Sequence, residues 1–336
     1  MKRVLSVLLA PVFAICWSDF AAATEWDVSL WGSRRAFTEH VEKLAELVSE
    51  RTNGEFTLNL SYGGLSKNRE NLDGISQGKF EMAQFCAGYH PDKNPSITVL
   101  ELPFLGVTTL EQEMRLSRAV YSHPAVQSDF ERWNATPLMP SPLPQYNIIG
   151  VGEPPAILAD FLGLTVRATG GIGTAMAALE AIPTSLSATE VRDALDRGRV
   201  KAVAFAPHAH MSFGTLVNAK WWTTNLNPGT VNCPVVVNSD ALQELTPEHR
   251  EALLGSVDEA LAHYLRHYNQ VTMAAWSPTL ITFGIERITF TDRELREFEQ
   301  AVAEPAAAAW IANVSAKGLP AEELYNYVTE LIGTSN

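Results

Sequence analysis

The sequence predicts an α/β protein of two similar lobes with a cleft between them and a long helix spanning both. Three observations carry this. The chain has 336 residues, more than one hydrophobic core usually serves. Strand-like and helix-like patterns alternate along it, the order that builds a mainly parallel sheet with helices on its faces. Pro137, Pro140, Pro142 and Pro144 crowd into eight residues and Pro154-Pro155 follow, which marks a crossover between two units.

The elements follow in order. "WDVSLW" (26–31) is a strand with Trp26, Val28 and Leu30 on one face. Phe37, Val41, Leu44 and Val48 recur at helical spacing, with Glu39 four residues before Lys43 on the outer face. "FTLNL" (56–60) alternates as a strand, residues 68–77 form a helix and 80–86 another strand. "LELPFL" (100–105) closes the first unit. In the second unit a strand ends at Arg167. Ser187 and Glu190 then form a capping box for a helix that Gly198 stops. "VKAVAFA" (200–206) and "CPVVVNSD" (233–240) are strands. Thr246-Pro247 opens a long helix to about residue 272, and Thr291 with Glu294 caps another. The expected lobes are residues 24–145 plus about 230–255, and 146–229 plus about 256–336.

Composition narrows the function classes. Hydrophobic residues make up 46% and charged residues 19%, an ordinary globular balance. The net charge is −13, so the chain lacks the basic face that phosphate neutralisation demands and nucleic acid is not an expected partner. Lys2 and Arg3 precede an apolar stretch at 4–17, and Ala21-Ala22-Ala23 offers small residues for cleavage. This reads as a secretory signal over residues 1–23, with the mature chain starting near Thr24. The stretch falls short of a membrane span, and Ile15 before Cys16 does not suit lipidation. The mature chain keeps Cys86 and Cys233, which either pair in an oxidising compartment or stay as buried thiols.

"GLTVRATGGIGTAMAALEA" (163–181) holds the strongest chemical signal. Arg167 stands at a strand end, where open α/β sheets bind ligands. Its planar guanidinium can grip a carboxylate with two parallel hydrogen bonds. Gly170 and Gly171 permit a tight turn, and the helix behind them offers free N–H groups to an anion. The residues alone leave open a structural ion pair with an acid such as Asp160. Trp31, Arg34 and Arg35 follow the first strand, Tyr89 and His90 follow the strand at 80–86, and Trp222-Thr223 sit in "AKWWTTNLNPG". Of these, Trp31, Tyr89 and Trp222 are candidate aromatic walls and Arg34 a second anion contact, whereas Arg35 reads as a solvated helix-start residue.

Enzyme signatures are missing: no G-x-S-x-G, P-loop or H-E-x-x-H occurs, and Met176 takes the third glycine position of a dinucleotide fingerprint. His208 and His210 in "PHAH" lack a cysteine or acidic partner nearby, so no metal is expected there. Cys86 and His90 are too loosely spaced to define a thiol–imidazole pair. No cofactor is expected.

The segments "LSYGGLSKNRENLDGISQGKFEMAQF", "LELPFLG", "FLGLTVRATGG", "TEVRDALDRGRVKAV" and "PVVVNSDALQELTPEHREAL" run in one order across nearly the whole mature chain. Together they resemble the dicarboxylate-binding type of periplasmic solute-binding protein from tripartite ATP-independent periplasmic (TRAP) transporters. The resemblance implies a type II periplasmic-binding-protein-like fold. It also implies a monomeric receptor that closes on an organic acid and docks on membrane subunits, with Arg167 on the ligand carboxylate. The same fold also serves as a ligand sensor for a receptor kinase, or as a periplasmic enzyme. Where many relatives have an asparagine on the strand at 200–206, this chain has Phe205. Near 145–150 its nearest polar residue is Asn147. These departures thin the polar grip and favour one carboxylate on an apolar or aromatic body.

Overall fold

The computed structural model describes residues 23–334, so the expected signal sequence lies almost wholly outside the described residues. Eleven strands among them form two sheets. In chain order they are β1 (Thr24–Leu30), β2 (Phe56–Tyr62), β3 (Met82–Gln84), β4 (Ala135–Pro140), β5 (Asn147–Gly150), β6 (Thr165–Arg167), β7 (Ile182–Thr184), β8 (Ala202–Phe205), β9 (Trp221–Thr223), β10 (Pro234–Asn238) and β11 (Glu286–Ile288). The first sheet runs β2-β1-β3-β10-β4 and the second β11-β9-β5-β8-β6-β7. This is the two-lobed α/β fold that the sequence predicts.

The chain passes from the first sheet to the second between Pro140 and Asn147 and returns between Thr223 and Pro234. The prolines of the crossover do not exclude strand structure. Pro137 and Pro140 lie on β4, an edge strand beside β10, where a missing N–H faces away from the ladder. Pro183 sits likewise on β7, the other sheet's edge.

Each sheet face is covered as its pattern requires. Trp26, Val28 and Leu30 of β1 pack with Val41, Leu44 and Val48 of the helix Glu39–Arg51 and with Leu253, Val257 and Leu261. The opposite face packs on the helices Leu110–Tyr121 and Pro124–Glu131, and on Ala321–Thr334 through Leu324 and Val328. Residues 256–336 therefore divide between the lobes. The helices Val257–His267 and Ala321–Thr334 cover the first sheet, while Trp276, Leu280, Phe298 and Val302 join the second core.

The long helix is a helical path rather than one rod. Pro247 starts it, with Thr246 Oγ1 accepting from His249 N at 3.1 Å. It breaks at Ser256, resumes over Val257–His267, passes through a π turn at Tyr268–Thr272 and ends with Met273–Thr282. Its first part lies on the first lobe and its last part on the second. The π turn falls between them, a common place for a change of helical direction.

Candidate ligand-binding site

β6 delivers Arg167 to the seam between the lobes. The residue is only 2% exposed. Its Nε and Nη2 donate to Leu186 O at 3.0 and 2.9 Å, its Nη1 to Ala204 O at 3.2 Å, and its Nη2 also to Tyr89 Oη at 3.0 Å. The guanidinium carbon lies 4.4 Å from the centre of the Phe205 ring, which β8 places beneath it. Carbonyl dipoles and a π face thus hold the cation flat. Among the described residues no carboxylate pairs with it. Asp160 instead caps its own turn by accepting from Ala156 N and Ile157 N.

A buried guanidinium without an anion is costly unless something else supplies the charge. Arg167 has five N–H groups, and the four contacts leave one Nη1 hydrogen without an acceptor. The Tyr89 oxygen also accepts from Ala188 N at 3.1 Å, which uses both its lone pairs and leaves its own proton to donate. The Arg167 Nη1–H and the Tyr89 O–H are therefore two uncommitted donors at one place.

Both residues line a narrow cavity between the lobes. Arg167 is its one formally charged residue. Trp31, Phe37, Tyr146, Phe205 and Phe213 supply most of the remaining wall. His208 also lines it, with burial and the nearby Arg35 pushing its pKa well below the ordinary value, so its ring is neutral. Burial holds the Tyr146 hydroxyl above its usual range and hence protonated. The lining is electrostatically simple, one cation with neutral donors and aromatic rings, and a second buried guanidinium, Arg35, packs against its Trp31, Phe37 and Phe213 rings.

Of the sequence-expected residues, Arg167, Phe205, Tyr89 and Trp31 meet at this cavity. The other four lie outside its lining. Arg34 is exposed and pairs with Glu42. Asn147 Nδ2 donates to Thr223 O at 3.2 Å, and its carbonyl shares a hydrogen bond with His210 Nε2. Trp222 packs edge-on against Trp276 at 5.6 Å.

Gly170 has a different reason to be glycine. Its φ is +54°, and a Cβ there would lie 2.2 Å from Glu101 Oε2. A Cβ on Gly171 would lie 1.9 Å from the Glu101 carbonyl oxygen. The space in front of this helix is thus taken by the chain's own Glu101 carboxyl group. Glu101 Oε1 accepts from Gly88 N at 3.0 Å and Asn232 N at 3.1 Å, and burial pushes its pKa up to about 7.

Two residues were misread or missed in the sequence. Arg35 is 7% exposed rather than solvated. It donates from Nη1 to Trp31 O and Ser33 O, and its guanidinium carbon lies 4.3 Å from the Trp31 ring centre. Burial lowers its pKa to about 10. Glu101 carried no local signal, because its partners come from residues 88, 170–171 and 232. The only trace was an acid inside an otherwise apolar run.

Cys86 and Cys233 form a disulfide, which removes any thiol for a pair with His90. His90 Nε2 is instead bonded to Asn68 O. His208 Nδ1 shares a hydrogen bond with Tyr268 Oη, and His210 Nδ1 with Thr215 Oγ1, so each is tied into its surroundings. Hydrogen bonds from Asn68 Nδ2 to Ser187 Oγ and from Arg69 Nη2 to Ser185 O join the lobes beside the cavity.

Several solved structures share this fold. A TRAP solute-binding protein from an unidentified marine microbe, described as specific for aromatic acids and solved with metahydroxyphenylacetate, is 19% identical with a TM-score of 0.83. The match covers 93% of this chain and 99% of that one. A TRAP periplasmic solute-binding protein from Bordetella bronchiseptica with bound (R)- and (S)-mandelate is 19% identical with a TM-score of 0.81, covering 93% and 100%. An extracytoplasmic solute receptor from Bordetella pertussis that binds pyroglutamic acid is 20% identical with a TM-score of 0.79, covering 92% and 100%. The family model described as "bacterial extracellular solute-binding protein, family 7" matches residues 28–313. The chain belongs to that family of bacterial extracellular solute-binding proteins.

Proposed function

We propose that this protein is the periplasmic receptor of a TRAP transporter, and that it captures an organic acid by closing its lobes. The observation that carries the reading is Arg167, a buried cation with no carboxylate partner among the described residues, at the wall of an aromatic cavity. The acid's carboxylate takes the free Nη1 hydrogen of Arg167 and the Tyr89 hydroxyl hydrogen. Its body lies against Trp31, Phe205 and Phe213. Because the first sheet supplies Trp31 and Tyr89 and the second supplies Arg167 and Phe205, a ligand bridging them stabilises the closed arrangement. The closed form then docks on the membrane subunits as a monomer. Residues 1–23 direct export and are cleaved near Ala23 and Thr24, without lipidation. Binding rather than turnover is the role of the site.

The ligand class follows from the wall. Apolar surface gains roughly 25 cal/mol per Å² on burial, whereas hydroxyls of a sugar acid pressed against rings cost about 1–3 kcal/mol each when unpaired. One cation serves one carboxylate. The reading is therefore a monocarboxylate with an aromatic or short apolar body, and the acids bound by the two neighbours with aromatic ligands agree with it. A thermal-shift screen tests it, because a ligand of the folded state raises Tm by mass action. Aromatic and short-chain monocarboxylates should raise Tm. Shifts from sugar acids or succinate-like diacids, with none from the monocarboxylates, would contradict it.

A further inference from the structure

Away from the cavity, one cluster of side chains has no role in acid binding. Glu39 opens the helix Glu39–Arg51, and His263 and His267 stand one turn apart on the helix Val257–His267. Each residue offers one donor atom, and all three donors lie within 4.8 Å of one another. His263 Nε2 and Glu39 Oε2 are 3.8 Å apart, and the two imidazole rings are 6.0 Å apart. All three side chains are half-buried, so water can complete a coordination shell.

We propose that these residues form a binding site for a divalent transition-metal ion of the zinc class. Bonds of about 2.0–2.2 Å place the ligand atoms of a tetrahedral ion about 3.4 Å apart. The observed spacing reaches that by small rotamer changes. Histidines at i and i+4 project from one helix face and converge on one ion. Two imidazole nitrogens and one carboxylate oxygen form a borderline donor set, which suits zinc, nickel or copper better than the all-oxygen shells of magnesium or calcium. The helices are already fixed against each other by Val41, Leu44 and Leu261 and by the contact of the His40 and Tyr264 rings at 4.8 Å. The donors are thus held close before any ion binds.

The position gives the site a consequence. His267 is the last residue before the π turn that carries the helical path towards the second lobe. An ion there ties that end of the path to the first lobe, one residue from the turn.

Zinc chloride titrated by calorimetry into the tag-free, chelator-treated protein is expected to show one saturable site and a rise in Tm. His263→Ala and His267→Gln should each weaken zinc binding by roughly tenfold or more, about 1.4 kcal/mol, and Glu39→Gln by less. Cobalt in place of zinc should give visible absorption bands that both histidine substitutions abolish. Circular dichroism and acid binding through Arg167 report whether the variants fold, and acid affinity is expected to stay unchanged. The proposal is overturned if the native protein shows no saturable binding below ~1 mM zinc, a Kd worth about 4 kcal/mol. It is also overturned if folded histidine variants bind zinc as the native protein does.

Discussion

Two anion-seeking features stand three residues apart in the stretch 165–173, and the structure treats them oppositely. Arg167 ends its strand facing the cavity, and its hydrogen-bond partners among the described residues are carbonyls and a tyrosine hydroxyl. The space before the helix beginning at Gly170 is filled by Glu101 from the first lobe. One feature keeps a free donor at the cavity, and the other is covered by a buried acid of the same chain. A glycine pair before a helix is an anion site only while no side chain of the same chain has taken it. Here the glycines serve lobe packing, and the arginine keeps a free donor at the cavity wall.

Replacing Arg167 breaks the open side of this comparison and should have the largest effect. Arg167→Met keeps much of the side-chain volume but removes the charge and its donors. Acid affinity is expected to fall by about 2–5 kcal/mol, while far-ultraviolet circular dichroism stays native. Calorimetry that finds near-native affinity in the folded variant removes Arg167 from the site.

Glu101→Gln probes the filled side. The folded-state pKa near 7 exceeds the ordinary 4.5. The stabilisation this shift represents is complete below about pH 4.5 and is lost as pH rises through 7. A difference of that size is worth about 3 kcal/mol. Unfolding curves of the native and Gln proteins should therefore diverge by up to this amount across the window. Glu113 keeps a similar dependence in both proteins, because burial raises its pKa to about 7 as well. Parallel profiles would mean that Glu101 ionises freely and does not close the helix end as a neutral acid.

Tyr89→Phe sharpens the description of the open side. It removes one of the two uncommitted donors and leaves Arg167 Nη2 and Ala188 N short of an acceptor. Acid affinity should drop by about 1–1.5 kcal/mol. An unchanged Kd would show that the hydroxyl orients Arg167 without touching the ligand.

Arg35→Met supplies the smallest expected effect and a control. Arg35 is also buried over an aromatic ring, yet it is absent from the cavity lining. Losing its bonds to Trp31 O and Ser33 O should cost about 1 kcal/mol of stability, with acid affinity within threefold of native. A loss of affinity as large as that of Arg167→Met would make Arg35 a second ligand contact.

The fold was largely legible because it rests on periodic burial. The faces of β1 and of the helix Glu39–Arg51, the caps at Thr246 and Thr291 and the strand ending in Arg167 are local patterns. The edge strands β4 and β7 escaped, since proline argues against strand until the sheet order shows which N–H is not needed. At the site, Arg167, Phe205, Tyr89 and Trp31 were legible as strand-end residues. Arg34 and Arg35 are adjacent, and one residue of register decides which is solvated. Sequence cannot set that register where a strand gives way to a short turn. Glu101 was hidden because its contacts span more than a hundred residues.

Mass spectrometry of the small molecule retained by protein purified from its native periplasm would identify what Arg167 holds. A monocarboxylic acid with an aromatic or short apolar body is expected on the native protein and missing from folded Arg167→Met. A retained molecule without a carboxylate, or the same acid retained equally by the variant, would contradict it.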